Sequence, residues 1–128
     1  ATRGFEELRA LSTHRRAAIL ANVAQGLRTR AEELARTIAA EAGKPLRFAR
    51  AEVSRACVTF ELAAAEVRQT RGEVLPLDLE PRGEGRLCLA TRVPRGPVLA
   101  ITPFNFPLNL VAHKLAPAFA LGASVILK

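Results

Sequence analysis

Pro97-Val98-Leu99-Ala100-Ile101-Thr102-Pro103-Phe104-Asn105-Phe106-Pro107 changes pattern twice within a few residues. The apolar run up to Ile101 reads as a strand buried on both faces. Pro103 and Pro107 then break the run, with Asn105 held between two aromatic rings. After Pro107 the apolar residues Leu108, Val111, Leu115 and Phe119 recur every three or four positions, the spacing of one helix face. Gly122 closes that helix, and Ser124-Val125-Ile126-Leu127-Lys128 opens a second buried strand. Strand, turn, helix and strand make a βαβ unit with parallel strands and a right-handed crossover. The turn after the first strand of such a unit projects past the carboxyl edge of the sheet, where ligands bind, and Asn105 sits there. A single unit of this kind cannot cover both faces of its own sheet. It predicts further strands, so the chain reads as the N-terminal portion of a larger protein.

Upstream, residues 12–43 read as helix. Ile19, Leu20, Val23 and Leu27 form one stripe, continued by Leu34, Ile38 and Ala42. Thr29 and Glu32 have the spacing of a capping box, which predicts a bend near Arg28-Thr29. Gly43 is a stop signal and Pro45 starts the next helix, expected over residues 45–70 and ended by Arg71-Gly72. Its apolar face is Val53, Cys57, Phe60, Ala64 and Val67, with Glu52, Arg55, Glu66 and Gln69 off it. The period then changes. Val74 to Leu79 suits a short strand interrupted by Pro76, and Glu80 to Gly85 turns the chain. From Arg86 to Val93, Leu87, Leu89, Thr91 and Val93 alternate with Arg86, Cys88, Ala90 and Arg92, as in a half-exposed strand. Such a hairpin is too small to be stable alone and is expected to protrude as an arm that adds to another sheet.

At 128 residues the chain can bury one modest core. It has no apolar run long enough for a membrane-spanning helix, and its first residues resemble the approach to a polar helix rather than a leader. The formal net charge of +7 raises the question of nucleic acid. However, the sixteen arginines are spread along the chain among glutamates, and there is no Tyr or Trp to stack on bases, so neither nucleic acid nor membrane is the expected partner. Cys57 and Cys88 lack metal-ligand spacing. No metal is expected, and a reduced, cytoplasmic setting is the simplest reading.

Read alone, Asn105 has two uses. Its amide offers fixed N–H donors of the kind that stabilise an oxyanion, and it is equally suited to a turn or helix cap. Ile101, Thr102, Pro103 and Phe104 pack a strand end and turn in any case. Lys128, at the carboxyl end of a strand, and Lys114, on a helix, are of a type usually solvated. His113 has only Asn109 as a polar neighbour at helical spacing, which is no catalytic dyad. An apolar helix face would keep the Cys57 thiol protonated and inert, and Cys88 lies in the hairpin strand.

The run PRGPVLAITPFNFPLNLVAHKLAPAFALGASVILK resembles the segment of aldehyde dehydrogenases that leads into the nicotinamide site. That family shows a Pro-x-Gly-x-Val strand, Pro-Trp/Phe-Asn-Phe/Tyr-Pro, a helix with Lys-x-x-Pro-Ala, and a strand ending in Lys. The resemblance implies an incomplete α/β fold. Residues 1–72 would be the helical part of a cofactor-binding domain, and residues 73–94 a hairpin arm of an oligomerisation domain. Residues 95–128 would be the first βαβ unit of the Rossmann-like cofactor domain. It implies NAD or NADP as cofactor, a small aldehyde as substrate, and a homo-oligomer, dimer or tetramer, built through the hairpin. Asn105 would hold the oxyanion. Ile101, Thr102, Pro103 and Phe104 would line the nicotinamide end, Lys128 would bond the adenosine ribose, and Lys114 would stand beside the site. Phe104, where the family often has Trp, looks like the branch acting on short hydroxylated or phosphorylated aldehydes. The family's nucleophilic Cys and its Glu base lie downstream, so these residues alone are expected to be inactive. The other reading is a non-catalytic helical module whose hairpin pairs with a partner's sheet edge.

Overall fold

The structure is a computed structural model that describes residues 1–69 and 72–128. Four helices come first: α1 (Thr2–Arg9), α2 (Thr13–Thr29), α3 (Ala31–Ala42) and α4 (Leu46–Glu66), the last continued by a 3₁₀ turn, Val67–Gln69. Strands β1 (Glu73–Leu75) and β2 (Cys88–Ala90) follow, then β3 (Val98–Ala100), α5 (Asn109–Ala120) and β4 (Val125–Leu127). The architecture is mixed α/β. The expected end of α4 at residues 70 and 71 lies outside the described residues.

The bend between α2 and α3 falls at Arg30, beside the expected place, but its cause is different. Thr29 is the last residue of α2, and its hydroxyl donates back to the Gln25 carbonyl at 3.0 Å instead of capping α3. Glu32 is drawn away by Arg36 and Arg50, so no capping box forms. α3 ends at Gly43, whose φ of 61° is a left-handed conformation that costs a residue with a Cβ more than it costs glycine.

The main core lies between α2, α4 and α5. It is built from Ala17, Leu20 and Ala24, from Ala56, Phe60 and Ala64, and from Ala112, Ala116 and Ala120. Small residues at the centre let three helix backbones approach closely, and the larger side chains fill the flanks. This explains a shift from the expected stripes. The buried face of α5 is Asn109, Ala112, Ala116 and Ala120, while Leu108, Leu115 and Phe119 pack beside it, half-buried. On α2 likewise, Ala17, Leu20 and Ala24 are buried and Ile19 is exposed. A second cluster, Ala35, Ile38, Ala49, Val53 and Cys57, joins α3 to α4.

β3 and β4 are parallel, in the register Val98↔Val125, Leu99↔Ile126, Ala100↔Leu127, with α5 between them in the chain. The expected βαβ order is present. The expected burial on both faces is not: Ala100 is buried, but Val98, Leu99, Ile101, Ile126 and Leu127 are exposed. Among the described residues, α5 is the main element packed on this strand pair, and two strands cannot cover themselves. β1 and β2 form an antiparallel pair, Glu73↔Ala90, Val74↔Leu89 and Leu75↔Cys88, shorter than the strands expected from 74 to 79 and 87 to 93. Val74 and Leu89 face each other across it, and both are exposed.

Candidate functional site

The parallel pair positions the turn that follows β3. Its ladder runs one step beyond the strands. The Lys128 N–H donates to the Ala100 carbonyl at 2.9 Å, and the Thr102 N–H donates to the Lys128 carbonyl at 3.1 Å. Thr102 and Lys128 therefore meet at the carboxyl edge. Thr102, Pro103, Phe104 and Pro107, with Glu41 and Ala42 from the end of α3, line a cavity of about 360 Å³. Phe104 is the most exposed large apolar side chain here, at 89%. Ile101 is exposed beside this concavity without lining it. Lys114 is exposed on α5 and enters neither the cavity nor the network described next.

Asn105 does not cap α5. The cap position is Leu108, which has no side-chain capping bond. The first amides of the helix are served from another helix instead. One oxygen of Glu52 on α4 accepts the N–H of Leu108 at 2.9 Å and that of Asn109 at 3.1 Å. Its other oxygen pairs with the Lys44 ammonium at 2.5 Å. Lys44 also donates to the backbone carbonyl of Asn105 at 2.8 Å and lies 4.1 Å from the centroid of the Phe106 ring. A carboxylate at the positive end of a helix, with an ammonium on its far side, meets both of its demands.

Glu52 is only 1% exposed, so it lies within the buried face of α4 and not off it as expected from the sequence. The sequence did carry a signal. Ala49, Glu52, Val53 and Ala56 share the period of the buried stripe, so a glutamate within it needs a partner, and Lys44 stands just before the helix. Burial pushes the carboxyl pKa up, but the Lys44 hydrogen bond, the amides of Asn109 and Leu108, and the charge of Lys44 outweigh it. The net result lies below the usual glutamate value. Burial, partly countered by Arg28, raises the Cys57 thiol, in keeping with an inert core cysteine. Cys57 and Cys88 are both free. Among the described residues, no three His, Cys, Asp or Glu side chains gather into a metal site, and no helix is long and apolar enough to cross a membrane.

Residues 1–128 match, end to end, the sequence profile of the aldehyde dehydrogenase family. The chain belongs to that family. It is 45% identical to the 3-sulfolactaldehyde dehydrogenase of Priestia aryabhattai, over 91% of this chain and 24% of that protein. It is 47% identical to the lactaldehyde dehydrogenase of Methanocaldococcus jannaschii, over 94% of this chain and 25% of that one. Among solved structures, aldehyde dehydrogenase 21 from Physcomitrella patens, in complex with the reaction product succinate, superposes with a TM-score of 0.94 and 42% identity. That match covers all of this chain and 27% of the other. Glyceraldehyde-3-phosphate dehydrogenase from Methanocaldococcus jannaschii, complexed with NADP, gives a TM-score of 0.90 and 44% identity, over 98% of this chain and 26% of the other. The chain thus spans about a quarter of the length of these aldehyde dehydrogenases.

Proposed function

We propose that this chain contributes the oxyanion-binding turn and one wall of the cofactor site to an NAD(P)-dependent aldehyde dehydrogenase that oxidises an aldehyde to a carboxylic acid. The supporting observation is the turn 102–107, held at the carboxyl edge of the parallel strands in a chain that matches the family from end to end. The β3–α5–β4 unit would be the start of a Rossmann-like domain, with residues 1–72 as its helical part. Residues 73–94 would form an arm of the oligomerisation domain in a cytoplasmic homo-oligomer.

The cavity has apolar walls from Ala42, Pro103, Phe104 and Pro107 and polar groups from Thr102 and Glu41, a mixed lining that would suit one face of a nicotinamide ring. Thr102, Pro103 and Phe104, with Ile101, would hold that end of NAD or NADP. The Lys128 ammonium would donate to ribose hydroxyls. Held there, the nicotinamide would supply the hydride acceptor for the oxidation. The chain's own chemical part falls to Asn105. A Cys outside these residues would add to the aldehyde carbon, and the carbonyl oxygen would become an oxyanion. The Asn105 amide would donate an N–H to it without changing its own protonation state. A Glu, also outside these residues, would activate the water that releases the acid.

The relatives are named for short polar aldehydes, and a Phe at position 104 leaves more room than a Trp. A short hydroxylated or acidic aldehyde is the proposed substrate class. The deciding experiment assays the full-length protein for aldehyde-dependent reduction of NAD and NADP, with a panel of such aldehydes beside simple alkyl ones. Activity that collapses in Asn105→Ala supports the reading. Activity that survives the substitution undiminished removes Asn105 from the chemistry.

A further inference from the structure

Lys44 and Glu52 lie outside the cofactor wall, yet together they grip the middle and the far end of the Asn105 turn. Before Asn105, the chain is fixed by the strand-edge bonds of Thr102 and Lys128. At Asn105 itself, the backbone carbonyl accepts from Lys44 at 2.8 Å. After it, the amides of Leu108 and Asn109 donate to Glu52 at 2.9 and 3.1 Å. The 2.5 Å contact between the Lys44 ammonium and Glu52 closes the loop. Phe106 also lies against these cations, with the Lys44 ammonium 4.1 Å and the Arg55 guanidinium 5.8 Å from its ring centroid. The carbonyl that Lys44 holds belongs to the residue whose side chain is exposed for chemistry.

A nearly buried ion pair is a poor source of stability, because the cost of removing two charges from water offsets most of their attraction. What it supplies well is geometry. Two prolines and a helix start leave the peptide planes around Asn105 with few other partners, and a fixed ammonium sets the orientation of one of them.

We infer that Lys44 and Glu52 are a positioning pair for Asn105: they hold its backbone so that the side-chain amide is aimed before substrate arrives. This rests on the oxyanion role of Asn105 proposed above. Neither residue lines the cavity at Thr102–Phe104; both act through the turn.

The test is a double-mutant cycle in the full-length enzyme, with kcat, aldehyde KM, cofactor Kd and melting temperature measured for Lys44→Met, Asn105→Ala and the double variant. Lys44→Met is expected to lower kcat about tenfold, since a small misplacement of a catalytic group suffices for that, with cofactor Kd unchanged. In the Asn105→Ala background the same change should alter kcat less than about twofold, because nothing is left to aim. Lys44→Arg, which keeps a cation and a donor, should recover most of the activity. The inference is overturned by a wild-type kcat in Lys44→Met at any melting temperature, or by a loss of equal size with and without Asn105. A normal kcat in Asn105→Ala would remove the oxyanion reading and this inference together, whereas a low kcat there without coupling removes the inference alone. Should Lys44→Met fail to fold, Glu52→Gln carries the cycle by the same criteria. It keeps an acceptor for the helix amides and discharges the pair.

Discussion

The backbone N–H of Thr102 donates to the carbonyl of Lys128 at 3.1 Å, joining the turn after β3 to the residue that follows β4. Residues 26 positions apart in sequence thereby share one sheet edge. Any ligand lying along that edge meets both.

Replacing Lys128 with Ala leaves this backbone bond in place and removes only the ammonium. In the full-length enzyme the cofactor Kd should rise about five- to tenfold with little change in kcat, the effect of losing one charged donor to a ribose. Titrating cofactor against intrinsic fluorescence or by calorimetry measures it. Unchanged affinity returns Lys128 to the status of a solvated surface residue.

Glu52 makes a different prediction, about acid. Its folded pKa lies below the ordinary value of 4.5, so the ionised form is favoured by folding. The stability this linkage contributes is complete above the unfolded pKa and is lost as pH falls through the lower, folded one. Glu52→Gln should therefore flatten the acid limb of the stability curve, seen as melting temperatures of wild type and variant that converge as pH drops below about 4.5. Glu52→Ala, which strands the half-buried Lys44 ammonium and two helix amides, should cost about 3 kcal/mol at neutral pH by denaturant titration. Parallel acid limbs for wild type and Glu52→Gln would contradict the assigned ionisation.

The legible parts of the molecule were those that local chemistry decides. Gly43 stops α3 because a left-handed turn is needed there, and the run before Thr102 forms a strand because β-branched and apolar residues suit one. The buried face of α5 lies one position from the expected stripe, whereas on α4 and its 3₁₀ continuation the expected Val53, Cys57, Phe60, Ala64 and Val67 are all buried. Alanine is a weak marker of burial, and the eye follows Val111 and Phe119 instead of Ala112 and Ala120. The strands were longer in expectation than in the structure, because alternation cannot show where a partner edge ends. The turn marks Asn105 as a candidate, but nothing local marks the pair that grips its backbone. Lys44 and Glu52 are distant in sequence from Asn105, and only tertiary packing brings α4 under the start of α5.

Two glycines should respond to alanine in opposite directions. A Cβ on Gly83 would stand 1.5 Å from the Leu77 carbonyl oxygen and 2.4 Å from its carbon, so the 77–83 loop has to open. A Cβ on Gly26, inside α2, meets nothing within 4 Å. Gly26→Ala should raise stability by about 0.5–1 kcal/mol. Gly83→Ala should disturb the hairpin between β1 and β2, and if that hairpin is an assembly arm the full-length variant should shift toward smaller species in light scattering. An unaltered oligomer with a displaced hairpin would detach residues 73–94 from assembly.

Asn105→Ala separates the two uses the sequence left open. In the structure Asn105 does not cap α5, since Glu52 serves the first amides and Leu108 holds the cap position without a side-chain bond. Removing the Asn105 side chain should therefore cost little stability, less than the roughly 1 kcal/mol typical of a lost cap, and the Lys44 bond to its backbone carbonyl is retained. An oxyanion donor behaves differently. The ground-state aldehyde asks little of it, while the charge that develops when a thiolate adds asks for a donor already aimed. The full-length variant should keep its cofactor affinity and melting temperature and lose about 10²–10³ in kcat, equivalent to roughly 2.7–4 kcal/mol of transition-state stabilisation. Asn105→Asp should do worse than Ala, because a carboxylate at that place repels the charge it should receive. Steady-state kinetics and a melting curve on the same preparations decide it: a fallen melting temperature with normal kcat makes Asn105 a structural turn residue.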